Sequence, residues 1–413
     1  MELGFFPLDE KLGLLPGGLT PFVHESLVRL GTWLPFEAAR QLLEALLGVQ
    51  VSKSQAVRCT EAAGAAYVTL QSAAADQIER EAPPAATGSK RMVVSADGAM
   101  IPLRGGEWGE VKTLAIGEVQ TANAKSDEKG IRTRQISYFS RLTTAEQFEH
   151  LTLVEMHRRG VENSAQVAAV MDGAEWLQSF IDYHCPQAVR ILDFPHAGQR
   201  IGQVGQALYG EGTAETKQWT AERLHQLKHQ GPQPILTEFG ALQEKHPELP
   251  VVAENRAYLE KRVAQMQYSS FQQQGWPIGS GMVESGNKLV VEARLKGAGM
   301  HWARPNVNGM LGLRNIVCSD RWSQEWSLIA DQLRRQARDR RKQQRQQRRL
   351  DKAPPVSEPM PVPEPVVSCQ QPAKEKPAVP AQPSGPRKPA PNHPWRHSPV
   401  GRRLYQPSEN AKD

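Results

Sequence analysis

Met92-Val93-Val94-Ser95-Ala96-Asp97-Gly98-Ala99 and, further on, Val167-Ala168-Ala169-Val170-Met171-Asp172-Gly173-Ala174 share one form. In each, a short apolar run ends in Asp-Gly-Ala. Apolar runs of this length bounded by Asp-Gly read as buried strands, the first ending at Asp97 and the second at Asp172. An Asp at a strand end, followed by Gly, leaves its carboxylate exposed at the rim of a sheet, where ligands of open α/β sheets gather. Taken singly, each Asp is more commonly a turn residue that closes a strand. The repeated tripeptide sets this pair apart. Two rim carboxylates on adjacent strands repel and raise each other's proton affinity. A divalent cation removes that cost, and magnesium accepts hard oxygen ligands from one or two carboxylates per ion.

Working outward, residues 111–119 and 134–139 read as two further strands of an antiparallel meander. Thr143 or Thr144 can cap a helix through Glu146, Phe148 and Leu153. A second helix is expected from Ala174 to about Tyr183, then a strand over 188–192 ending at Asp193. A meander followed by strand–helix alternation indicates an α/β fold with a mixed sheet and flanking helices. Upstream, Phe36, Ala39, Leu42, Leu43, Leu46 and Leu47 recur at helical spacing, and Gly48 closes that helix. A Ser within Val51-Ser52-Lys53-Ser54 can cap the next helix. Helix, turn and helix have the shape of a helix-turn-helix, with Lys53 and Arg58 placed to reach phosphates or bases; an ordinary helical hairpin is the plain alternative. Pro83-Pro84 through Gly88-Ser89 marks a linker. Residues 205–271 are helical and polar, without strand character.

Completing a two-cation site requires a third carboxylate, and Glu284 is the best placed. It follows Ile278-Gly279-Ser280-Gly281, a turn-rich lead into a helix that Ser280 can cap, so the helix dipole favours its charge. Lys288, four residues on, shares its face and can bind a phosphate or pair with Glu284.

Composition narrows the function classes. The chain has 413 residues, 39% of them hydrophobic, enough for two or three domains. It contains no apolar run of about 18 residues, so no membrane span is expected. Met1–Pro16 has no basic stretch before an apolar one, so a secretory signal is not expected. Cys59, Cys185, Cys318 and Cys369 lie too far apart for a zinc knuckle, and their number fits a reducing cytoplasm. The net charge of +6 is uneven: residues 331–413 hold 18 Lys and Arg against 8 Asp and Glu, whereas the rest holds 32 against 36. The run Arg-Arg-Lys-Gln-Gln-Arg-Gln-Gln-Arg-Arg at 340–349 would attract a polyanion such as DNA, and residues 351–413, rich in Pro, are expected to be disordered.

The sequence resembles bacterial insertion-sequence transposases of the DDE type, most closely the Kra-type family, relatives of the mutator-like transposases. The resemblance covers roughly residues 3–322. Besides Ser95-Ala96-Asp97-Gly98-Ala99 and Met171-Asp172-Gly173-Ala174-Glu175-Trp176, its motifs are Phe5-Phe6-Pro7-Leu8-Asp9, Leu34-Pro35-Phe36-Glu37-Ala38-Ala39, Ile191-Leu192-Asp193-Phe194-Pro195-His196-Ala197, Pro277-Ile278-Gly279-Ser280-Gly281-Met282-Val283-Glu284-Ser285, and Arg294-Leu295-Lys296-Gly297-Ala298-Gly299-Met300-His301-Trp302. The resemblance implies an RNase H-like fold in which Asp97, Asp172 and Glu284 bind two Mg2+ ions, with Mn2+ able to substitute. It also implies a helical insertion between the second and third acids. Mutator-like relatives carry an Asp-x-x-His pair, matched here by Asp193 and His196, so His196 is expected to touch DNA phosphate or to orient the site. The basic and Pro-rich tail is not part of that pattern.

The expected organisation is an N-terminal helical DNA-binding domain over 1–82, a catalytic core over 90–204 and 273–325, an all-α insertion over 205–272, and a basic, largely disordered tail over 326–413. The expected activity is cleavage and joining of DNA strands at the terminal inverted repeats of a mobile element and at target DNA. A homo-oligomer would pair the ends, in the bacterial cytoplasm at the nucleoid. Lys288, Arg294 and Lys296 would hold the backbone near the cut. The competing readings are a catalytically inactive DNA-binding protein derived from a transposase, and a nuclease acting on DNA–RNA hybrids.

Overall fold

The computed structural model describes residues 14–15, 18–120 and 131–352. The Phe5–Asp9 motif and the Pro-rich stretch from residue 353 onward lie outside the described residues.

The described residues form a mixed five-stranded sheet flanked by helices. The strands are β1 (Arg91–Pro102), β2 (Trp108–Gln120), β3 (Arg132–Leu142), β4 (Gln166–Met171) and β5 (Val189–Leu192), in the order β3-β2-β1-β4-β5. β1, β2 and β3 form the antiparallel meander, while β4 and β5 lie parallel to β1. β1 does not end at Asp97 as the sequence suggests. It runs on to Pro102, because Asp97, Gly98 and Ala99 stay paired with Thr113, Lys112 and Val111 of β2. What stops short is the other edge: pairing with β4 ends at Val94–Ala169.

Each face of the sheet follows from side-chain alternation. Met92, Val94 and Ala96, with Val167, Ala169 and Met171, pack on α4 (Ala145–Arg159) and α5 (Glu175–His184) through Phe148, Leu177 and Phe180. α4 is capped by Thr144, whose hydroxyl accepts the Gln147 N–H, and ends at a left-handed Gly160. Val93, Ala168, Val170 and Ile191 face the opposite way. They pack under α6 (Phe194–Tyr209), α7 (Ala214–Gln230), α8 (Gln233–Lys245), α9 (Pro250–Glu260) and α10 (Tyr268–Gln273). The helical insertion therefore covers one face of the β4–β5 half. Its expected start at residue 205 falls inside α6, which begins directly after Asp193.

On that same side, Ala99, Ile101, Val111 and Ala115 pack on a helical stretch made of α11 (Gly281–Gly286), a π-helical segment (Asn287–Glu292) and α12 (Ala293–Leu295). A Leu103–Trp302 bridge follows, then α13 (Arg304–Cys318).

The N-terminal helices share a core with the C-terminal ones. Leu27 and Val28 of α1 (Pro21–Trp33), Leu43 of α2 (Phe36–Leu47), and Ala56, Ala63 and Tyr67 of α3 (Lys53–Glu81) pack with Leu313 and Ile316 of α13 and with Trp322, Trp326 and Leu333 of α14 (Trp322–Lys352). The described part of residues 1–82 thus falls in the same compact unit as the sheet. Gly64 makes the α3–α13 crossing possible: a Cβ there would lie 2.5 Å from the Gly309 carbonyl oxygen. Ser52 caps α3 through the Gln55 N–H, and Gly48, with φ 67°, ends α2.

The apolar stripe of α2 is only partly buried. Leu43 is fully covered, whereas Leu46 is 71% exposed, because α1 and α3 meet a single edge of this helix. The basic run at 340–349 continues α14, and residues 340–348 are exposed. Among the described residues no helix is long and apolar enough to cross a membrane.

Candidate active site

Two parallel registers set the site. β1 pairs with β4 so that Val94 faces Ala169, and β4 pairs with β5 so that Met171 faces Leu192. Continued past the last pairs, these registers would set Asp97 level with Asp172 and Asp193, which directly follow β4 and β5. Side-chain alternation puts all three on the face that carries the insertion and α11. The repeated Asp-Gly-Ala is therefore a positional repeat as well as a sequence one.

Asp97 is held from two sides. Its Oδ1 accepts the Gly98 N–H at 2.7 Å and its Oδ2 accepts the Asn287 amide at 2.9 Å. Burial raises its proton affinity above the ordinary aspartate value, and the nearby charges of Asp172 and Glu284 add to the rise. Asp172 closes a short turn, its Oδ1 accepting the Ala174 N–H at 2.9 Å. The insertion clamps that turn: Tyr258 donates to the Asp172 carbonyl at 2.6 Å, and Arg262 donates to the Gly173 carbonyl at 2.5 Å. Arg262 and Arg200 lie against the Tyr258 ring at 3.9 and 4.2 Å. Gly173 adopts φ 77°, where a Cβ would meet the Tyr258 hydroxyl at 2.6 Å.

Asp193 is fully buried. Its Oδ2 accepts both the backbone N–H and Nδ1 of His196 at 3.0 Å, and its Oδ1 accepts the Ser280 N–H at 2.6 Å. Burial opposes ionisation of this carboxyl, but the His196 and Ser280 hydrogen bonds outweigh it and hold the group below its ordinary value. His196 is correspondingly raised, first by its bond to Asp193 and then, against burial, by the charges of Asp172, Asp193 and Asp97.

Glu284 sits in the first turn of α11, exposed, with the Ser280 hydroxyl donating to its Oε1 at 3.4 Å. Ser280 does not cap this helix as expected. Its backbone, at φ −84° and ψ 13°, is not in the extended conformation of a capping residue, and its hydroxyl turns to Glu284 instead. The π-helical segment begins three residues later, and Asn287 at its start reaches Asp97. Such π segments recur at functional sites.

The structure thus gathers Asp97, Asp172, Glu284 and His196 into one electrostatic neighbourhood. Among the described residues, however, no three His, Cys, Asp or Glu side chains come close enough to hold a metal ion as they stand. The remaining expected DNA contacts are spread out. Lys288 is exposed next to Asn287, and Lys296 pairs with Glu292 at 3.0 Å. Arg294 is buried between the Phe36 and Trp302 rings and donates to the Gly31 carbonyl. Lys53 and Arg58 are exposed at the start of α3.

Asn287, Tyr258, Arg262, Arg200 and the Asp193–Ser280 tie escape a reading of the sequence, since each acts through a partner remote in the chain. No protein-family model matches the chain, and no curated protein matches it.

Proposed function

We propose that the chain is a DNA transposase of RNase H-like fold that cleaves and joins strands by phosphoryl transfer at Asp97, Asp172 and Glu284. The observation that carries the reading is that Asp97 on β1 and Asp172 just past the parallel strand β4 stand near enough for their charges to interact, with the Glu284 segment bound to Asp97 through Asn287. Three hard carboxylates, one of them made reluctant to ionise by burial and by its neighbours, suit divalent magnesium or manganese. Asp97, Asp172 and Glu284 would hold the ions. When bound, the ions supply activation of the attacking hydroxyl and neutralisation of the leaving oxygen.

The chain's own groups have separate tasks. Asn287 orients Asp97, while Tyr258 and Arg262 hold the Asp172 turn. Asp193 keeps His196 protonated more readily than a free imidazole, so His196 can meet a phosphate oxygen. The DNA partners would be the ends of a mobile element and its target, with copies of the chain pairing those ends.

The test is cleavage and joining of a duplex carrying candidate element ends, with and without Mg2+, by wild-type protein and Asp172→Asn. Loss of a ligand to a catalytic ion removes several kcal/mol of transition-state stabilisation, so activity should fall by more than about a thousandfold. One observation favours a second reading, a DNA-binding protein without catalysis: the acids do not converge as they stand. Wild-type protein that binds the duplex tightly and never cuts it would select that reading.

A further inference from the structure

A cavity of about 360 Å³ lies between the N-terminal helices and the segment that joins α12 to α13. Three helices begin at its wall: α2 at Pro35–Phe36, α3 at Lys53, and α13 at Ala303. Pro35 makes no side-chain cap, so the start of α2 keeps amide donors that no capping side chain satisfies, whereas in the first turn of α13 Pro305 has no N–H and the Asn306 N–H bonds to the Ala303 carbonyl. The helix dipoles add positive potential at the same spot.

The floor of the cavity includes Arg294. The residue is 2% exposed, and its guanidinium is stacked between Phe36 and Trp302 at 4.8 and 5.1 Å. Its Nε donates to the Gly31 carbonyl at 3.1 Å, but its Nη2 is buried with no hydrogen-bond partner. Burial, and then repulsion from Arg314, push this group down to about 10. A buried guanidinium held this way, with no carboxylate to balance it, is costly unless an anion completes it. Lys53 and Arg104 stand exposed at the rim. Both acids of the wall stand near these cations: Glu37, paired with Arg40 at 2.8 Å, feels the charge of Lys53, and Glu61, which accepts the Asn306 amide at 2.6 Å within the same wall, feels that of Arg104, so an anion must compete with both.

We infer that this cavity is a phosphate-binding site in which Arg294 Nη2, Lys53, Arg104 and the uncapped amides at the start of α2 receive one phosphate group. A planar guanidinium fixed by two aromatic rings presents its remaining donors without losing side-chain freedom, which suits phosphate geometry. The source of the phosphate rests on the proposed function: it is a backbone phosphate of bound DNA. A free nucleotide shares the same chemistry and is separated from DNA by the test.

The test is thermal unfolding of the full chain with inorganic phosphate against chloride at matched ionic strength, followed by competition. Phosphate should raise the melting temperature of the wild type in a saturable way. The apparent affinity should fall at least about tenfold in a Lys53→Glu, Arg104→Glu variant, whose exposed changes leave folding intact. Arg294→Gln should lose the response as well, and if it fails to fold, the rim variant decides. No saturable response, or an equal response in the rim variant, overturns the site. A short duplex that displaces phosphate assigns the group to DNA. A nucleoside monophosphate that displaces it where the duplex does not overturns the DNA assignment. Phosphate binding that persists in Asp172→Asn shows that the cavity stands or falls apart from the catalytic reading.

Discussion

The buried carboxylate of Asp193 accepts the backbone N–H of Ser280 at 2.6 Å, tying the end of β5 to the turn that carries Glu284. The same carboxylate holds His196 through its other oxygen. One side chain thus sets the position of two elements that approach the Asp97–Asp172 pair from different parts of the chain.

Replacing Asp193 with Ala strips the Ser280 and His196 N–H groups of their acceptor. Each buried donor left unsatisfied costs about 1–3 kcal/mol, so urea unfolding at pH 7 should show a loss of that order or more. Asp193→Asn keeps the shape and separates the electrostatic part. In the wild type the His196 imidazole should titrate above its ordinary value by NMR, and in Asp193→Asn it should fall back toward it. Because His196 is raised in the folded state, its contribution to stability is full below the ordinary histidine value and fades as pH climbs through the folded one. A wild-type His196 titrating below the ordinary value would refute the arrangement.

Asp97 is raised, so the folded protein favours its protonated form and ionisation near neutral pH works against stability. Asp97→Asn should therefore stabilise the metal-free protein at pH 7, by about 1 kcal/mol as is common when a functional site is relieved of strain. Added MgCl2 should stabilise the wild type and leave Asp97→Asn unmoved. Calorimetry with and without the ion checks both parts, and equal stabilisation of the two proteins would show that magnesium binds elsewhere.

Glu155 is 1% exposed and lies between Arg321, at 3.1 Å, and Arg158. Burial opposes its charge, but Arg321 and then Arg158 outweigh that cost and hold it below the usual glutamate value. Glu155→Gln removes the closer of the two carboxylates beside buried Arg321 and leaves only Glu325, at 3.6 Å, so the loss should be about 3 kcal/mol, the low end for breaking a buried pair. The depressed group contributes its stability above the unfolded-state value, and the contribution disappears as pH falls through the folded one. The difference between wild type and Glu155→Gln in urea midpoint should therefore be large at pH 7 and shrink toward pH 3.

Gly64→Ala places a methyl group 2.5 Å from the Gly309 carbonyl, too close for the helices to keep their separation. Overpacking of this kind costs about 1–3 kcal/mol. The loss should appear in the unfolding midpoint, and fluorescence of Trp322 and Trp326, which share that core, should change with it.

The elements whose pattern repeats within a few residues were legible in the chain: the apolar runs before Asp97 and Asp172, a capping threonine at 143 or 144, a capping serine within residues 51–54, and Gly48 at the end of α2. The paired Asp-Gly-Ala also marked the candidate acids, since a continuous apolar run and a fixed tripeptide need no distant partner to be recognised. Tertiary structure alone decided the rest. It carried β1 past Asp97 by pairing it with β2, and it buried Arg294 between two rings. It set Asn287 on Asp97 and fastened Asp193 to Ser280. Each of these is a hydrogen bond or packing contact between segments far apart in sequence, and local periodicity carries no information about which distant group will satisfy a given donor.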